Sequence, residues 1–191
     1  MRDEIERQLR DGAELKLRVA EELSGQIQSA AEALIECVQG GGKALFCGNG
    51  GSAADAQHLA AELIGRFKKE RAAIPAVALT TDSSVLTALG NDYGYERVFS
   101  RQVEALGQAG DLLVAISTSG RSPNALLAAK AARRRGMKTV ALTGRGGGKL
   151  GALADICIPI PSTDAARIQE AHIAVGHILC DLLEQRIGAA S

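Results

Sequence analysis

The chain has 191 residues, 46% of them hydrophobic, with 22 Lys+Arg set against 22 Asp+Glu and a formal net charge of zero. That length can bury a core without staples and argues for one domain. Zero net charge, 3% aromatics and no Trp speak against a nucleic-acid binder, which carries a basic excess and stacking rings, and no apolar run reaches membrane-spanning length.

The N-terminus, Met1-Arg-Asp-Glu-Ile-Glu-Arg7, is charged and lacks the apolar segment of a signal peptide. Cys37, Cys47, Cys157 and Cys180 stand apart among apolar residues with no C-x-x-C spacing, which fits reduced core thiols of a cytoplasmic protein. Residues 3–23 place Ile5, Leu9, Ala13, Leu17, Ala20 and Leu23 on a helical stripe. A second helix over 26–39 carries Ile27, Ala31, Leu34 and Val38 and stops at Gly40-Gly-Gly42. Two helices before the first strand exceed what a doubly wound sheet needs. They could lie on the sheet edge as a lid, but the width of the stripe favours an arm (residues 1–42) packed on another subunit.

From residue 43 to 191 short apolar runs alternate with helical segments. Strands are expected at 44–46, 76–79, 112–116, 139–142 and 156–160, and helices near 52–65, 83–90, 95–107, 122–135 and 165–187. This alternation implies an α/β fold, a parallel sheet wrapped by helices in a three-layer α-β-α sandwich, with ligands gathering at the C-terminal ends of the strands. The basic runs Arg66-Phe-Lys-Lys-Glu-Arg71 and Arg133-Arg-Arg135 read as solvated helix ends or loops, and Gly144-Arg-Gly-Gly-Gly148 as a short loop.

Four strand ends carry chemistry. The first strand breaks into Cys47-Gly-Asn-Gly-Gly-Ser52, and a strand passing through glycines to a helix N-terminus presents free N–H groups to an anion. His58 and Glu62, four apart, share one face of the helix that follows. After the third strand, Ser117-Thr-Ser-Gly-Arg-Ser-Pro123 sets four hydroxyls within six residues before a helix start, a second anion cradle suited to phosphate. After the second strand Asp82 reads as an N-cap and Gly90-Asn91-Asp92 as the turn ending that helix. The last helix carries Gln169, His172 and His177 on a background apolar nearly all round. Gln169 and His177, eight apart, lie about 12 Å apart along the axis. They could therefore reach one metal only at the limit of their side chains, unless the helix is irregular or the ligands come from different copies across a subunit interface.

Taken together, Cys47-Gly-Asn-Gly-Gly-Ser52, Gln57-His58-x-x-x-Glu62, Gly90-Asn91-Asp92, Ser117-Thr-Ser-Gly-x-Ser122 and Arg167-Ile-Gln-Glu-x-His172 resemble the sugar isomerase (SIS) domain family over nearly the whole chain. The resemblance implies a flavodoxin-like sandwich on a five-stranded parallel sheet and a homotetramer with active sites between subunits. It implies an enzyme that converts sedoheptulose 7-phosphate to D-glycero-D-manno-heptose 7-phosphate through an enediol, at the start of nucleotide-heptose synthesis for lipopolysaccharide. Asn49, Gly50, Gly51, Ser52, Asn91, Asp92, Ser117, Thr118, Ser119, Ser122 and Gln169 would contact substrate. One zinc ion per subunit would be held by His58, Glu62, Gln169 and His177, with Glu62 and His177 as the acid/base pair. Ala166 departs from members that place an Asp before the Arg-Ile-Gln-Glu run. Two alternatives share the fold: a non-catalytic relative that associates with the replication initiator DnaA, and an isomerase of another sugar phosphate. Glu62 and His177, which a pure binding module has no chemical reason to keep, favour the enzyme.

Overall fold

A computed structural model of the protein describes residues 1–187. The strands are β1 (Ala44–Gly48), β2 (Ala76–Ala78), β3 (Leu112–Ser117), β4 (Lys138–Thr143) and β5 (Ile156–Pro159), all parallel and ordered β2-β1-β3-β4-β5. Both faces of the sheet are buried, which explains why the strands read as unbroken apolar runs. Phe46, Leu112, Val114, Val140 and Ile158 join a core under one helical layer; Leu45, Cys47, Leu113, Ala115 and Ala141 join a second core on the opposite face.

The first layer holds α1 (Arg2–Gln39), α2 (Gly51–Ile64) and α7 (Ala165–Ile187). The second holds α3 (Ser83–Tyr93), a 3₁₀ turn at Tyr95–Arg97, α4 (Val98–Leu106), α5 (Pro123–Arg134) and α6 (Gly148–Leu153). The three-layer α-β-α sandwich is thus observed, and the strand order reverses between β1 and β3, the switch point where such sheets open a crevice.

Three expectations need correction. The two N-terminal helices are one helix, α1, running through Ser24-Gly25. A helical Gly is unfavourable by about 1 kcal/mol, but the buried stripe Leu15, Val19, Leu23, Ile27, Ala30, Ala31 and Leu34 stays in phase across it and carries the helix on. Gly90-Asn91-Asp92 is helical; α3 ends at Gly94, whose φ of 85° is the left-handed turn that stops it. The stretch from Gly144 is a short loop as expected, and it leads into α6, a short helix that the sequence pattern did not reveal. Arg71 is buried, whereas Arg133, Arg134 and Arg135 are exposed as expected.

Candidate active site

The site is built where α2 and α7 run side by side in the same direction. Three levels of contact define the arrangement. At the first, a Cβ on Gly51 would stand 2.5 Å from Gln169 Nε2; at the second, a Cβ on Gly176 would stand 2.5 Å from Leu59 Cδ2; at the third, Arg71 meets Glu184. At Gly176 a side chain would press into the buried Leu59, whereas at Gly51 it would meet only the movable end of Gln169.

At the middle level His58 Nε2 lies 3.0 Å from His177 Nε2 and 3.1 Å from Glu62 Oε1. The two rings are 5.1 Å apart and tilted by 54°. One ligand atom from each of the three residues can be chosen so that all lie within 4.8 Å of one another. Two imidazole nitrogens and a carboxylate oxygen, all of them metal-ligand types, face one another here, and the cluster could hold a metal. The His58 side chain is 47% and the Glu62 side chain 22% exposed, so the cluster is open to a ligand. His177 therefore joins His58 and Glu62 within one chain, where the sequence suggested a reach across a subunit boundary; parallel packing of α2 and α7 brings them level. Gln169 stands at the first level instead, against Gly51 and about 12 Å along α7 from His177.

The glycine loop begins α2. Gly50 has φ 57° and ψ −123°, a conformation that side chains avoid. A Cβ at Gly48 would stand 2.5 Å from Ser52 O, so the loop folds tightly onto its own helix. Ser52 is buried in the first turn. Asn49 faces sideways: its amide exchanges two hydrogen bonds with Asn124, donating at 2.9 Å and accepting at 2.8 Å. Asn124 is itself buried at the start of α5. This reciprocal pair ties the glycine loop to the loop after β3, and it borders an open pocket of about 500 Å³ lined by Asn49, Tyr95, Glu96, Ser122, Pro123 and Asn124. The pocket sits at the β1/β3 switch point.

In the serine loop Ser117 Oγ is 2.9 Å from Ser122 Oγ and 3.5 Å from Ser119 Oγ, and Ser119 Oγ accepts the Arg121 N–H. Three of the hydroxyls thus converge at the N-terminus of α5, whose dipole and free N–H groups favour an anion. Thr118 is partly buried, and its carbonyl accepts the Gly144 N–H. Gly120, with φ 60°, lies so close to Gly147 and Gly148 that a Cβ would clash with their backbone, which locks the loops after β3 and β4 together. Arg121 is exposed.

Other residues singled out by sequence fall elsewhere. Asn91 and Asp92 are exposed in the last turn of α3, where the Asn91 amide donates to Asp92 Oδ1 at 2.8 Å. His172 is fully buried; its Nε2–H donates to the Thr143 carbonyl, and burial pushes its pKa down to about 4, so the ring is neutral core. Ala166 lies exposed in the first turn of α7, and the carboxylate of Asp164 accepts its N–H at 2.9 Å, capping that helix. Asp55, one turn before His58, has a buried Oδ2 without a partner; burial raises its pKa to about 6 against the pull of His58. Asn124, Phe67, Arg71 and Glu184 were not anticipated. The one available signal was Glu184, a charge on the apolar stripe of α7 seven residues beyond His177.

Fold and site together define a class: a doubly wound α/β protein with an anion cradle at its switch point and an accessible His/Glu/His cluster beside it. A family model described as "SIS domain" matches residues 9–144, and the chain belongs to that family. It is 58% identical over 165 residues to a phosphoheptose isomerase of Akkermansia muciniphila, covering 86% of this chain and 87% of the relative. It is 54% identical over 187 residues to a phosphoheptose isomerase of Geobacter sulfurreducens, covering 98% and 99%. Among solved structures it matches a phosphoheptose isomerase from Neisseria gonorrhoeae with a TM-score of 0.91 and 47% identity, over 96% of this chain and 98% of that one.

Proposed function

We propose that this chain is an isomerase that interconverts sedoheptulose 7-phosphate and D-glycero-D-manno-heptose 7-phosphate. The observation that carries the reading is the convergence of His58, Glu62 and His177 in a chain more than half identical, nearly end to end, to phosphoheptose isomerases. The reaction moves a proton from C1 to C2 and another from O1 to O2 through an enediol. Glu62 would take the C1 proton and return it to C2, since a carboxylate suits a carbon-bound proton that must be moved over a short path. His177 would protonate O2 and accept the O1 proton, as an imidazole can donate or accept near neutral pH. Ser117, Thr118, Ser119 and Ser122 would grip the phosphate, with the α5 dipole supplying the positive field in place of a lysine. Asn49, Gly50, Gly51, Ser52 and Gln169 would hold the sugar end, with Asn91 and Asp92 at its rim.

The donor set suits zinc. A tetrahedral ion with ligand bonds of about 2.0–2.1 Å sets its donor atoms about 3.3 Å apart, close to the 3.0 and 3.1 Å that separate His58 Nε2 from the other two donors, with all three within 4.8 Å of one another. When bound, the ion would polarise the substrate carbonyl and stabilise negative charge developing on its oxygen. His58, Glu62 and His177 would hold it, while Gln169, beside Gly51 in its own chain, stays at the sugar end. A homotetramer is in keeping with the apolar residues Ile5, Leu9 and Leu17 left exposed on α1, and Ile178 on α7. A cytoplasmic setting fits the four free thiols. No helix among the described residues is long and apolar enough to cross a membrane.

The test is turnover of sedoheptulose 7-phosphate by the purified protein, followed by NMR together with metal analysis. Appearance of the aldoheptose phosphate with about one zinc per chain is expected. Zinc-loaded protein that leaves the ketose unchanged would sink the reading. The alternative of a non-catalytic partner of the replication initiator has no observation in its favour.

A further inference from the structure

Beyond the His/Glu/His cluster, α2 and α7 are joined by a buried ion pair that the chemistry above does not use. The side chains of Arg71 and Glu184 are 2% and 1% exposed. Glu184 accepts hydrogen bonds from the backbone N–H groups of Phe67 at 2.8 Å, Lys68 at 2.8 Å and Lys69 at 2.9 Å, and from Arg71 Nε at 3.1 Å. Arg71 donates onward to the carbonyls of Glu62, Leu63, Gly65 and Ala72. Two of those carbonyls, Glu62 and Leu63, belong to the last turn of α2, where helical partners run out. The guanidinium therefore caps the helix that carries His58 and Glu62, while its carboxylate partner sits on the helix that carries His177.

The same knot shapes the segment between α2 and β2, which has no regular structure at Phe67 to Lys69. Three consecutive N–H groups converge on one carboxylate, and the turn so formed lays the Phe67 ring on the His177 imidazole, with centroids 5.3 Å apart and planes 26° from parallel. The Lys68 ammonium lies over the Phe67 ring, 5.1 Å from its centroid, and pairs with Asp181 at 3.2 Å. Stability alone does not account for this arrangement, because a buried ion pair is no better for stability than an apolar pair of the same volume. What it adds over an apolar pair is direction, since every donor and acceptor has one satisfied geometry.

We propose that Arg71, Glu184 and Phe67 are positioning residues of the isomerase site, the ion pair setting the spacing of the two ligand-bearing helices and Phe67 holding the plane of the His177 ring. The proposal rests on the isomerase reading for its kinetic consequence and on the donor geometry for the rest. Positioning groups around metal ligands typically change metal affinity or activity by about 10–100-fold.

The test uses full-length metal-free protein titrated with Co²⁺ by visible absorption, and the zinc-loaded protein for kcat and KM. Phe67→Leu keeps an apolar side chain but removes the ring; Phe67→Tyr keeps the ring. Phe67→Leu and Glu184→Gln are expected to lose about 10–100-fold in Co²⁺ affinity and in kcat, with KM for sedoheptulose 7-phosphate unchanged and Phe67→Tyr restoring both. Wild-type Co²⁺ affinity and kcat in Phe67→Leu would overturn the proposal, as would a loss that Phe67→Tyr does not restore. Should Glu184→Gln fail to fold, the Phe67 pair decides the matter alone. If wild type binds Co²⁺ yet turns over no heptose phosphate, the isomerase reading fails while the Co²⁺ titrations still judge the positioning.

Discussion

Gly176→Ala separates two effects of opposite sign. In an isolated helix the change is stabilising by about 1 kcal/mol, because Gly is the poorer helix former. In this protein the new Cβ would stand 2.5 Å from Leu59 Cδ2, 2.8 Å from Cδ1 and 3.1 Å from Cγ. Leu59 is 2% exposed inside the core under α2 and α7, so its methyls cannot swing into solvent. Overpacking of this kind is destabilising by about 1–3 kcal/mol, which matches or exceeds the gain in propensity. A net loss of up to about 2 kcal/mol lowers Tm by up to roughly 8 °C for a chain of this size. Because residue 176 precedes His177, the strain also displaces the imidazole, and kcat should fall with KM little changed. Differential scanning calorimetry reads the first effect and the NMR turnover assay the second. Adding Leu59→Ala to Gly176→Ala should be less damaging than the sum of the singles, with a coupling of about 1 kcal/mol or more. A rise in Tm for Gly176→Ala would refute the close approach of the two helices, and with it the account of why a Gly stands there.

Glu62→Gln and His177→Ala should each reduce kcat by about 10²–10⁴-fold, the usual contribution of a general acid or base, with circular dichroism unchanged; near-normal turnover in either would remove it from the acid/base pair. Asn124→Ala frees the half-buried Asn49 amide and leaves the buried Ala125 N–H, which donates to Asn124 Oδ1, without that acceptor, a loss of about 1–3 kcal/mol; KM should rise more than kcat falls, and an unchanged KM would mean that Asn49 does not bind the sugar. His172 supplies a pH signature. Its folded pKa of about 4 lies below the ordinary histidine value of 6.5, so between those values the unfolded chain binds a proton that the native chain does not. Stability therefore rises with pH across that window and is lost as pH falls through it, by about 3 kcal/mol in total. His172→Gln should flatten that part of the urea-unfolding profile between pH 4 and 6.5, and an unaltered slope would assign the effect to other groups. Removing metal with a chelator should abolish turnover and lower Tm, and zinc should restore both; stability indifferent to metal would count against an ion at His58, Glu62 and His177.

Much of the architecture was legible in the chain because it depends on local pattern. Non-alternating apolar runs such as Leu112–Ile116 announce strands buried on both faces. The glycines at 48, 50 and 51 and the hydroxyls from Ser117 to Ser122 mark tight turns feeding helix N-termini, whose anion affinity is a property of the backbone. His58 and Glu62 were visible as a pair because four residues of helix place them on one face. Boundaries were misread where a local breaker met a longer-range pattern. Gly25 does not end α1, since the buried stripe continues across it, and Gly90 does not end α3, since Gly94 is the residue with positive φ.

What only the tertiary structure decided is how distant pieces meet. Nothing in the spacing of Gln169 and His177 reveals that α7 runs parallel to α2, so that His177 reaches His58 and Glu62 in its own chain while Gln169 stays beside Gly51. Nor does a basic run such as Arg66–Arg71 disclose that its last member is the buried one, because burial there depends on a carboxylate more than a hundred residues away at Glu184. Local sequence determines which groups are present and which face of an element bears them. Whether a charge is solvated or clamped, and whether two imidazoles meet, follows from the packing of elements far apart in the chain.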